Sequence, residues 1–138
     1  MSISQREFVI IMASLMSMVA LTTDAMLPAL GLMARDFSVD GNAIQLVVTA
    51  VFAGHALGQL VYGPISDTYG RRSSVFLGLA IFSVGSLISA NANSLETMLL
   101  GRFLQGFGAS GPRVMVVALV RDCYSGPAMA RIMSFAMT

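Results

Sequence analysis

Four stretches of this chain stay apolar over lengths that few soluble helices reach, and they limit the possible folds more than any other feature. They cover residues 8–30, 44–62, 73–90 and 95–119, and a further apolar run begins at about residue 129. A helix that spans a bilayer needs about 20 predominantly apolar residues. The sequence therefore predicts an all-α integral membrane protein with four complete spans and the start of a fifth, which we expect to be truncated by the chain's end.

Composition supports this prediction and argues against a soluble or barrel-shaped protein. Only 11% of the residues are charged and 56% are hydrophobic, with a mean hydropathy of +0.78. A soluble domain carries about 25% charged residues, so neither a soluble enzyme nor a disordered segment is expected. Membrane strands alternate lipid-facing and lumen-facing residues, whereas these stretches are apolar at successive positions. No separate soluble domain or linker is visible.

The few polar residues exclude other classes of protein. The net charge is only +1 and Lys is absent, so no basic patch for nucleic acid is present. One Cys and one His can form neither an internal disulfide nor a zinc site. No nucleophile–base pair, phosphate-binding loop or metal cluster supports an enzyme.

The first span has an alternative interpretation as a cleaved signal peptide, with Arg6 as its charged start. Its apolar core is longer than the usual 7–15 residues, and no clear small-residue cleavage site follows it. We therefore expect the first span to remain in the protein as a helix.

The arginines are distributed unequally between the predicted connections. With a cytoplasmic N-terminus, the outer side holds only Arg35. The inner side then holds Arg6, Arg71, Arg72, Arg121 and Arg131. Because basic residues favour the cytoplasmic side, this asymmetry predicts a multi-pass inner (plasma) membrane protein whose N-terminus is cytoplasmic. The connection after the third span is short, and Ser94 there suits the N-cap of the next helix.

Two opposite charges are predicted at similar depth inside the membrane. Asp24 lies about 24 Å from the inner end of the first span, and Arg102 lies about 10 Å from the outer end of the fourth. In a core about 30 Å thick, the two side chains can share one level and partly neutralise each other. A charge at such a depth usually faces a partner or a wet cavity. The alternative for Asp24 is a helix-end carboxylate that reaches water at the outer face.

Other polar side chains of the second and fourth spans are candidates for lining a cavity: His55, Gln59, Gln105 and Arg113. In the fourth span, Arg102, Gly106 and Arg113 fall on one stripe of the helix. His55 has the chemistry of a proton carrier because imidazole titrates near neutral pH, but a packing histidine is an equal alternative. Arg113 can instead snorkel toward the cytoplasm. Gly54 and Gly58, four residues apart, predict close helix packing in the second span.

The connection between the second and third spans, residues 63–72, contains residues that favour turns. Gly63 and Gly70 permit backbone conformations that other residues avoid. Pro64 is expected to close the preceding helix because its nitrogen carries no hydrogen. The sequence therefore predicts a loop here.

The charges of this connection predict a latch between helix ends. Asp67 is expected to attract Arg71 and Arg72, and one of these arginines is expected to approach Asp122 at the inner end of the fourth span. The alternative is a generic basic turn that only sets topology.

Three motifs carry a resemblance to a known family. The pattern G-x-x-x-D-x-x-G-R-R at residues 63–72 resembles the signature of the major facilitator superfamily, although Thr68 stands where Arg or Lys is commoner. The D-x-x-L-P pattern from Asp24 and the R-x-x-Q-G-x-G pattern from Arg102 resemble motifs of its drug–proton antiporter branch. The segment around Arg121 and Asp122 is similar to that of the Bcr/CflA drug-resistance transporters.

The resemblance implies the N-terminal part of a twelve-helix secondary transporter, with proton-coupled efflux of small drug-like molecules. It implies no cofactor beyond the proton gradient, and as partners it implies membrane lipids, a small-molecule substrate and the remaining transporter helices. Asp24 and Arg102 would couple proton and substrate movement. The cytoplasmic gating motif would comprise Gly63, Asp67, Gly70, Arg71, Arg72 and Asp122.

Two alternative functions stay open. One is a truncated membrane fragment or subunit that inserts but does not transport, since alternating access needs a second half. The other is a small four-helix multidrug exporter that works as a dimer. That family has a Glu in its first span, whereas this chain has Asp24 near the outer end, so we rank this alternative lower.

Overall fold

The helices of the computed structural model follow the apolar stretches of the sequence. The structure describes residues 5–123, 126, 129–130 and 134, and within this part of the chain it contains helices and no strand. The helices are α1 (Gln5–Asp24), a 3-10 turn (Leu27–Ala29), α2 (Leu30–Asp36), α3 (Gly41–Tyr69), α4 (Arg71–Ala90) and α5 (Leu95–Cys123). The all-α prediction is confirmed. Most of the predicted fifth span, including Arg131, lies outside the described residues.

Among the residues that the structure describes, four helical segments are long and apolar enough to cross a membrane. They are Ala13–Asp36, Gly41–Tyr69, Arg71–Ala90 and Leu95–Asp122. The connections between them place Gly70 at one end of the bundle and Asn91 at the other, which we call the Gly70 end and the Asn91 end. Helices α3 and α5 both run toward the Gly70 end, and α4 runs back between these ends.

The first span is interrupted rather than continuous from residue 8 to residue 30. Helix α1 ends at Asp24, a 3-10 turn follows, and α2 continues to Asp36. Pro28 lies four residues after Asp24, so it offers no N–H to the Asp24 carbonyl, and the regular α-helical pattern stops there. The break places the Asp24 side chain at a helix end, where it is exposed.

The second span extends past the predicted boundary at residue 62. Pro64 lies inside α3, which continues to Tyr69, so the prediction that Pro64 ends the helix is wrong. Burial of Tyr62 and Ser66 against the bundle holds this part of the helix in place despite the missing hydrogen bond. The Pro64 carbonyl also accepts a hydrogen bond from Thr68 Oγ1 at 3.0 Å.

The connection between α3 and α4 is a single residue instead of the predicted loop. Gly70 has a φ of 84° and a ψ of 156°, a conformation that is essentially restricted to glycine. Gly63, by contrast, is helical. Of the two glycines predicted to form a turn, only Gly70 does so.

The hairpin between α4 and α5 agrees with the sequence prediction. Helix α4 ends at Ala90 and α5 begins at Leu95. Ser94 Oγ accepts a hydrogen bond from the backbone N–H of Thr97 at 3.3 Å, so its N-cap role is confirmed. Helix α5 continues to Cys123, beyond the predicted end at residue 119.

Helix α5 lies at the centre of the described bundle and contacts α3 and α4 through glycines. A Cβ added at Gly106 would collide with the backbone carbonyl of Val51 in α3. A Cβ added at Gly85 of α4 would lie 2.6 Å from the backbone nitrogen of Gln105, closer than real Cβ atoms approach other atoms. Because lipid is as apolar as a helix surface, close backbone approach of this kind drives helix association in membranes. The packing role predicted for Gly54 is also observed, since its added Cβ would meet the Phe103 carbonyl.

Two parts of the first span pack on the bundle at different levels. The segment after the break packs at the Asn91 end, and α1 packs nearer the Gly70 end. At the Asn91 end, the buried residues form one cluster: Met26, Ile44, Val47, Val51 and Met98. Nearer the Gly70 end, Val116 and Val120 of α5 pack against Leu15 and Met16 of α1. Helix α5 is therefore the shared packing partner of α1, α3 and α4, while α2 packs on α3.

We predict that Gly106→Ala destabilises the protein by about 1–3 kcal/mol, because the added methyl group forces α5 away from α3. The measurement is the midpoint of thermal unfolding in a mild detergent, followed by circular dichroism. Gly31→Ala is the matched control, since an added Cβ there meets no atom within 4 Å. Equal midpoints for the two variants would contradict the proposed role of the Gly106 contact.

Candidate functional site

An ion pair closes the Gly70 end of the bundle. Arg71 Nη2, at the first residue of α4, binds Asp122 Oδ2 in the last turn of α5. Each charge alone lies at the helix end where the macrodipole disfavours it, so the pair offsets two unfavourable interactions. The side chains are 31% and 45% exposed, so water still screens the attraction. The predicted approach of an arginine to Asp122 is confirmed, and its gating role stays a prediction.

The other members of the predicted gating motif are not joined to this pair. The guanidinium of Arg72 lies 5.6 Å from the ring centroid of Phe76, in a cation–π arrangement on its own helix. Asp67 is exposed, and among the described residues it forms no ion pair with either arginine. An added Cβ at Gly63 would meet no atom within 4 Å. The structure therefore brings together only Arg71 and Asp122, across the turn at Gly70.

Asp24 and Arg102 do not form the predicted pair. Arg102 Nη1 donates to Gln105 Oε1, one turn further along α5, at 3.1 Å. Asp24 is exposed at the end of α1, and no ion pair joins it to Arg102 in the part of the chain that the structure describes. The prediction assumed that Asp24 and Arg102 lie at the same depth on two straight helices. Because α1 ends at Asp24, before Pro28, that assumption does not hold.

Arg102 is instead held by a chain of hydrogen bonds that reaches α4. Gln105 Nε2 donates to Ser86 Oγ at 2.8 Å, and Ser86 Oγ donates to the Phe82 carbonyl at 2.9 Å. These hydrogen bonds orient the Gln105 amide so that its oxygen faces the Arg102 guanidinium. Arg102 Nε is buried and has no hydrogen-bond partner, so the arginine retains a donor for another group.

Gln105 therefore lies against α4, and its predicted cavity-lining role stays a prediction. Its side chain is buried, and Ser86 is its partner. Ser86 was not a sequence candidate. The R-x-x-Q spacing indicates that Arg102 and Gln105 are near each other, but no sequence signal shows which residue of another helix meets Gln105.

His55 also lies between helices rather than in the cavity described below. Its side chain is only 8% exposed, against the Gly106 backbone of α5 and near Arg113. His55 Nε2 and the Tyr62 hydroxyl, two turns further along α3, are buried without hydrogen-bond partners. This arrangement fits the packing alternative, while leaving a polar atom available to a proton or water.

Gln59 and Arg113 lie in the wall of a cavity of about 270 Å³ near the Gly70 end. The other lining residues all belong to α5: Val114, Val117, Ala118 and Arg121. Arg121 was not a sequence candidate for this wall, although its spacing of eight residues from Arg113 places both on one helix face. Gln59 and Arg113 were predicted to line a cavity, and a role of this cavity in transport stays a prediction.

Metal chemistry has no support from the described side chains. No group of three or more His, Cys, Asp or Glu residues in the described part of the chain is arranged to hold a metal ion.

Long apolar helices packed through glycines, a half-buried arginine held by side-chain hydrogen bonds and a tight ion-paired turn define a multi-spanning helical membrane protein. Its sequence matches the Major Facilitator Superfamily over residues 10–138. The chain belongs to this superfamily, as the three sequence motifs predicted.

Several curated proteins are similar to this chain. It is 37% identical to the uncharacterized MFS-type transporter YdgK of Bacillus subtilis (strain 168), over 85% of the chain and 29% of that protein. It is 38% identical to multidrug resistance protein D of Escherichia coli (strain K12), over 71% and 25%. It is 37% identical to a chloramphenicol resistance protein of Pseudomonas aeruginosa, over 78% and 26%. The chain thus spans less than a third of these relatives, and no solved structure gives a significant match.

We predict that Arg71 and Asp122 are energetically coupled. Arg71→Gln and Asp122→Asn should each lower the unfolding midpoint, and the double variant should lose less than the sum, by a coupling of about 0.2–1 kcal/mol for a partly exposed pair. A double-mutant cycle of thermal unfolding in detergent measures this coupling.

The matched control is the cycle of Arg72→Gln with Asp122→Asn, which should be additive because Arg72 lies over Phe76. Additivity in the Arg71 cycle as well would show that the ion pair makes no contribution.

Proposed function

We propose that this chain forms the first helices of a secondary transporter that exports small drug-like molecules in exchange for protons. The observation that carries the proposal is the superfamily match over residues 10–138, with relatives named for resistance to several drugs and to chloramphenicol. The proton gradient would supply the energy, so no bound cofactor is part of the proposal. Lipids, a small-molecule substrate and further transporter helices would be the partners.

Arg102 is the proposed coupling cation. A charge this deep in a membrane helix costs about 2.5–3.5 kcal/mol on insertion scales, so it needs a functional or structural partner. The contact with Gln105 engages one nitrogen, and the unpaired buried Nε can bind a further group. Gln105 and Ser86 would act as positioning residues that keep the guanidinium in place.

Asp24 is the proposed proton-carrying group. Its position at the end of α1 and its exposure support this role. In another conformation of the transport cycle, approach of Arg102 would stabilise the charged carboxylate and so release its proton. The separation of the two groups in this structure would then represent one state of the cycle, and their approach another.

We propose that the Gly70 end faces the cytoplasm, in the plasma membrane. Arg71, Arg72 and Arg121 lie at this end, and Arg35, in the last turn of α2, lies at the other. The distribution follows the positive-inside rule. The pair of Arg71 with Asp122 would then tie α4 to α5 on the cytoplasmic side, where it can restrict opening of the cavity.

We predict that this orientation can be measured by cysteine labelling. In a Cys123→Ser background, Ser73→Cys at the start of α4 should react with an impermeant thiol reagent only in inside-out vesicles. Asn93→Cys, in the hairpin at the Asn91 end, is the matched control and should react only in intact cells. Both Ser73 and Asn93 are exposed, so the reagent can reach either position. The reverse pattern would overturn the orientation.

We predict that Asp24→Asn abolishes the dependence of efflux on the proton gradient. Arg102→Lys should retain partial activity, because it keeps the charge but loses the planar fork that meets Gln105. Gln105→Leu should also lower the rate of efflux, because it removes the hydrogen-bond acceptor of Arg102. The measurement is efflux against external pH, with the complete transporter in proteoliposomes and a panel of drugs.

Asp36→Asn is the matched control, since Asp36 is also an exposed carboxylate near the Asn91 end. If Asp24→Asn keeps the unmodified pH profile, another group couples proton movement. The alternative of a non-transporting fragment is tested by measuring efflux by the 138-residue chain alone. That alternative predicts no efflux, because alternating access is expected to need helices beyond these four.

A further inference from the structure

We infer that the cavity at the Gly70 end binds a phosphate group attached to an apolar body. Gln59 of α3 faces this cavity, and α5 contributes the remaining lining residues. The cavity does not include Asp24 or Arg102, so the inference is independent of the proposed coupling groups. It also goes beyond the proposed function, because a ligand can bind here whether or not it is transported.

The charges in this cavity are unbalanced. Arg113 and Arg121 both line it, and within the described residues neither forms an ion pair. The carboxylate next to Arg121 in sequence, that of Asp122, is already bound by Arg71. Both arginines are exposed, and an anion bound in this cavity would balance their two positive charges.

The type of cation favours phosphate among the possible anions. Guanidinium is planar, always charged and presents parallel N–H donors that match phosphate oxygens, so both arginines can bind it by charge-assisted hydrogen bonds. The Gln59 amide adds a donor on the opposite wall, from α3. Three donor side chains therefore face one space.

The shape of the cavity favours an amphiphile over a bare ion. Arg113 and Arg121 are eight residues apart, about 12 Å along the helix axis. Between them the wall is apolar, formed by Val114, Val117 and Ala118. A volume of about 270 Å³ lies just under the usual range for drug-sized ligands, about 300–1,000 Å³. It fits a head group with the first part of an apolar chain.

The position of the cavity makes such ligands accessible. Arg121 lies one residue before Asp122, at the end of the bundle marked by the ion pair with Arg71, and this step rests on the proposed orientation, which puts that end at the cytoplasmic head groups. Basic pockets between transmembrane helices on the cytoplasmic side bind anionic head groups in other membrane proteins. An anionic phospholipid and a soluble alkyl phosphate present the same chemistry, and experiment can distinguish them.

The experiment measures binding to the purified complete transporter in a neutral detergent. The probes are dihexanoyl phosphatidylglycerol, dodecyl phosphate, and dihexanoyl phosphatidylcholine as the zwitterionic comparison. The apparent affinity is obtained from the rise of the unfolding midpoint with probe concentration. Arg113→Gln and Arg121→Gln are the test variants, and Arg35→Gln, an exposed arginine at the Asn91 end, is the matched control.

Each test variant should weaken binding of the anionic probe about tenfold, whereas Arg35→Gln should leave it unchanged. Binding of phosphatidylglycerol alone identifies a lipid head group as the occupant, and binding of dodecyl phosphate alone identifies a soluble amphiphile. Arg121→Lys, which keeps the charge, should restore part of the affinity and shows that loss in Arg121→Gln is not misfolding. Equal affinity for phosphatidylcholine and phosphatidylglycerol, or unchanged affinity in both Gln variants, would overturn the inference.

Discussion

Direct contact between helix backbones holds the described part of this protein together, and its polar features depend on that contact. Gly106 of α5 meets the backbone of Val51 in α3, and Gly85 of α4 meets the backbone at Gln105. In lipid the hydrophobic effect does not favour one apolar helix contact over exposure to acyl chains, so van der Waals contact at short range must supply the association energy. Side chains larger than hydrogen at these positions would remove that contact.

Close packing also determines what the polar side chains can reach. With α4 so near α5, Gln105 meets Ser86 and in turn supports Arg102, while His55 is enclosed beside Gly106. In a low-dielectric surrounding, hydrogen bonds of this kind strengthen one another and fix orientations, and an unsatisfied group is costly. The buried Arg102 Nε and His55 Nε2 have no hydrogen-bond partner, so a change of conformation, a proton or a ligand that reaches either atom would have a large energetic effect.

Helix ends need partners for their charges and backbone groups, and the two ends of the bundle obtain them differently. At the Asn91 end, Ser94 caps α5 within its own segment. At the Gly70 end, the chain reverses at one glycine, and a side chain from a distant helix, Asp122, meets Arg71. A link across helices couples their movement, whereas a local cap does not. This difference supports the proposal of a gate at the Gly70 end.

The length of the apolar stretches was enough to predict the number of spans. Local chemistry was enough to predict the hairpin at residues 91–94 and the pairing of an arginine with Asp122, because both depend on residues close to a helix end. The same reasoning failed at Pro64 and for Asp24 with Arg102. Burial of Tyr62 and Ser66 outweighed the hydrogen bond that Pro64 lacks, and the helix break near Pro28 moved Asp24 out of line. Partners such as Ser86 and the shared cavity of Arg113 and Arg121 emerge only from helix packing, since rotation and spacing between helices are set by contacts far apart in the chain.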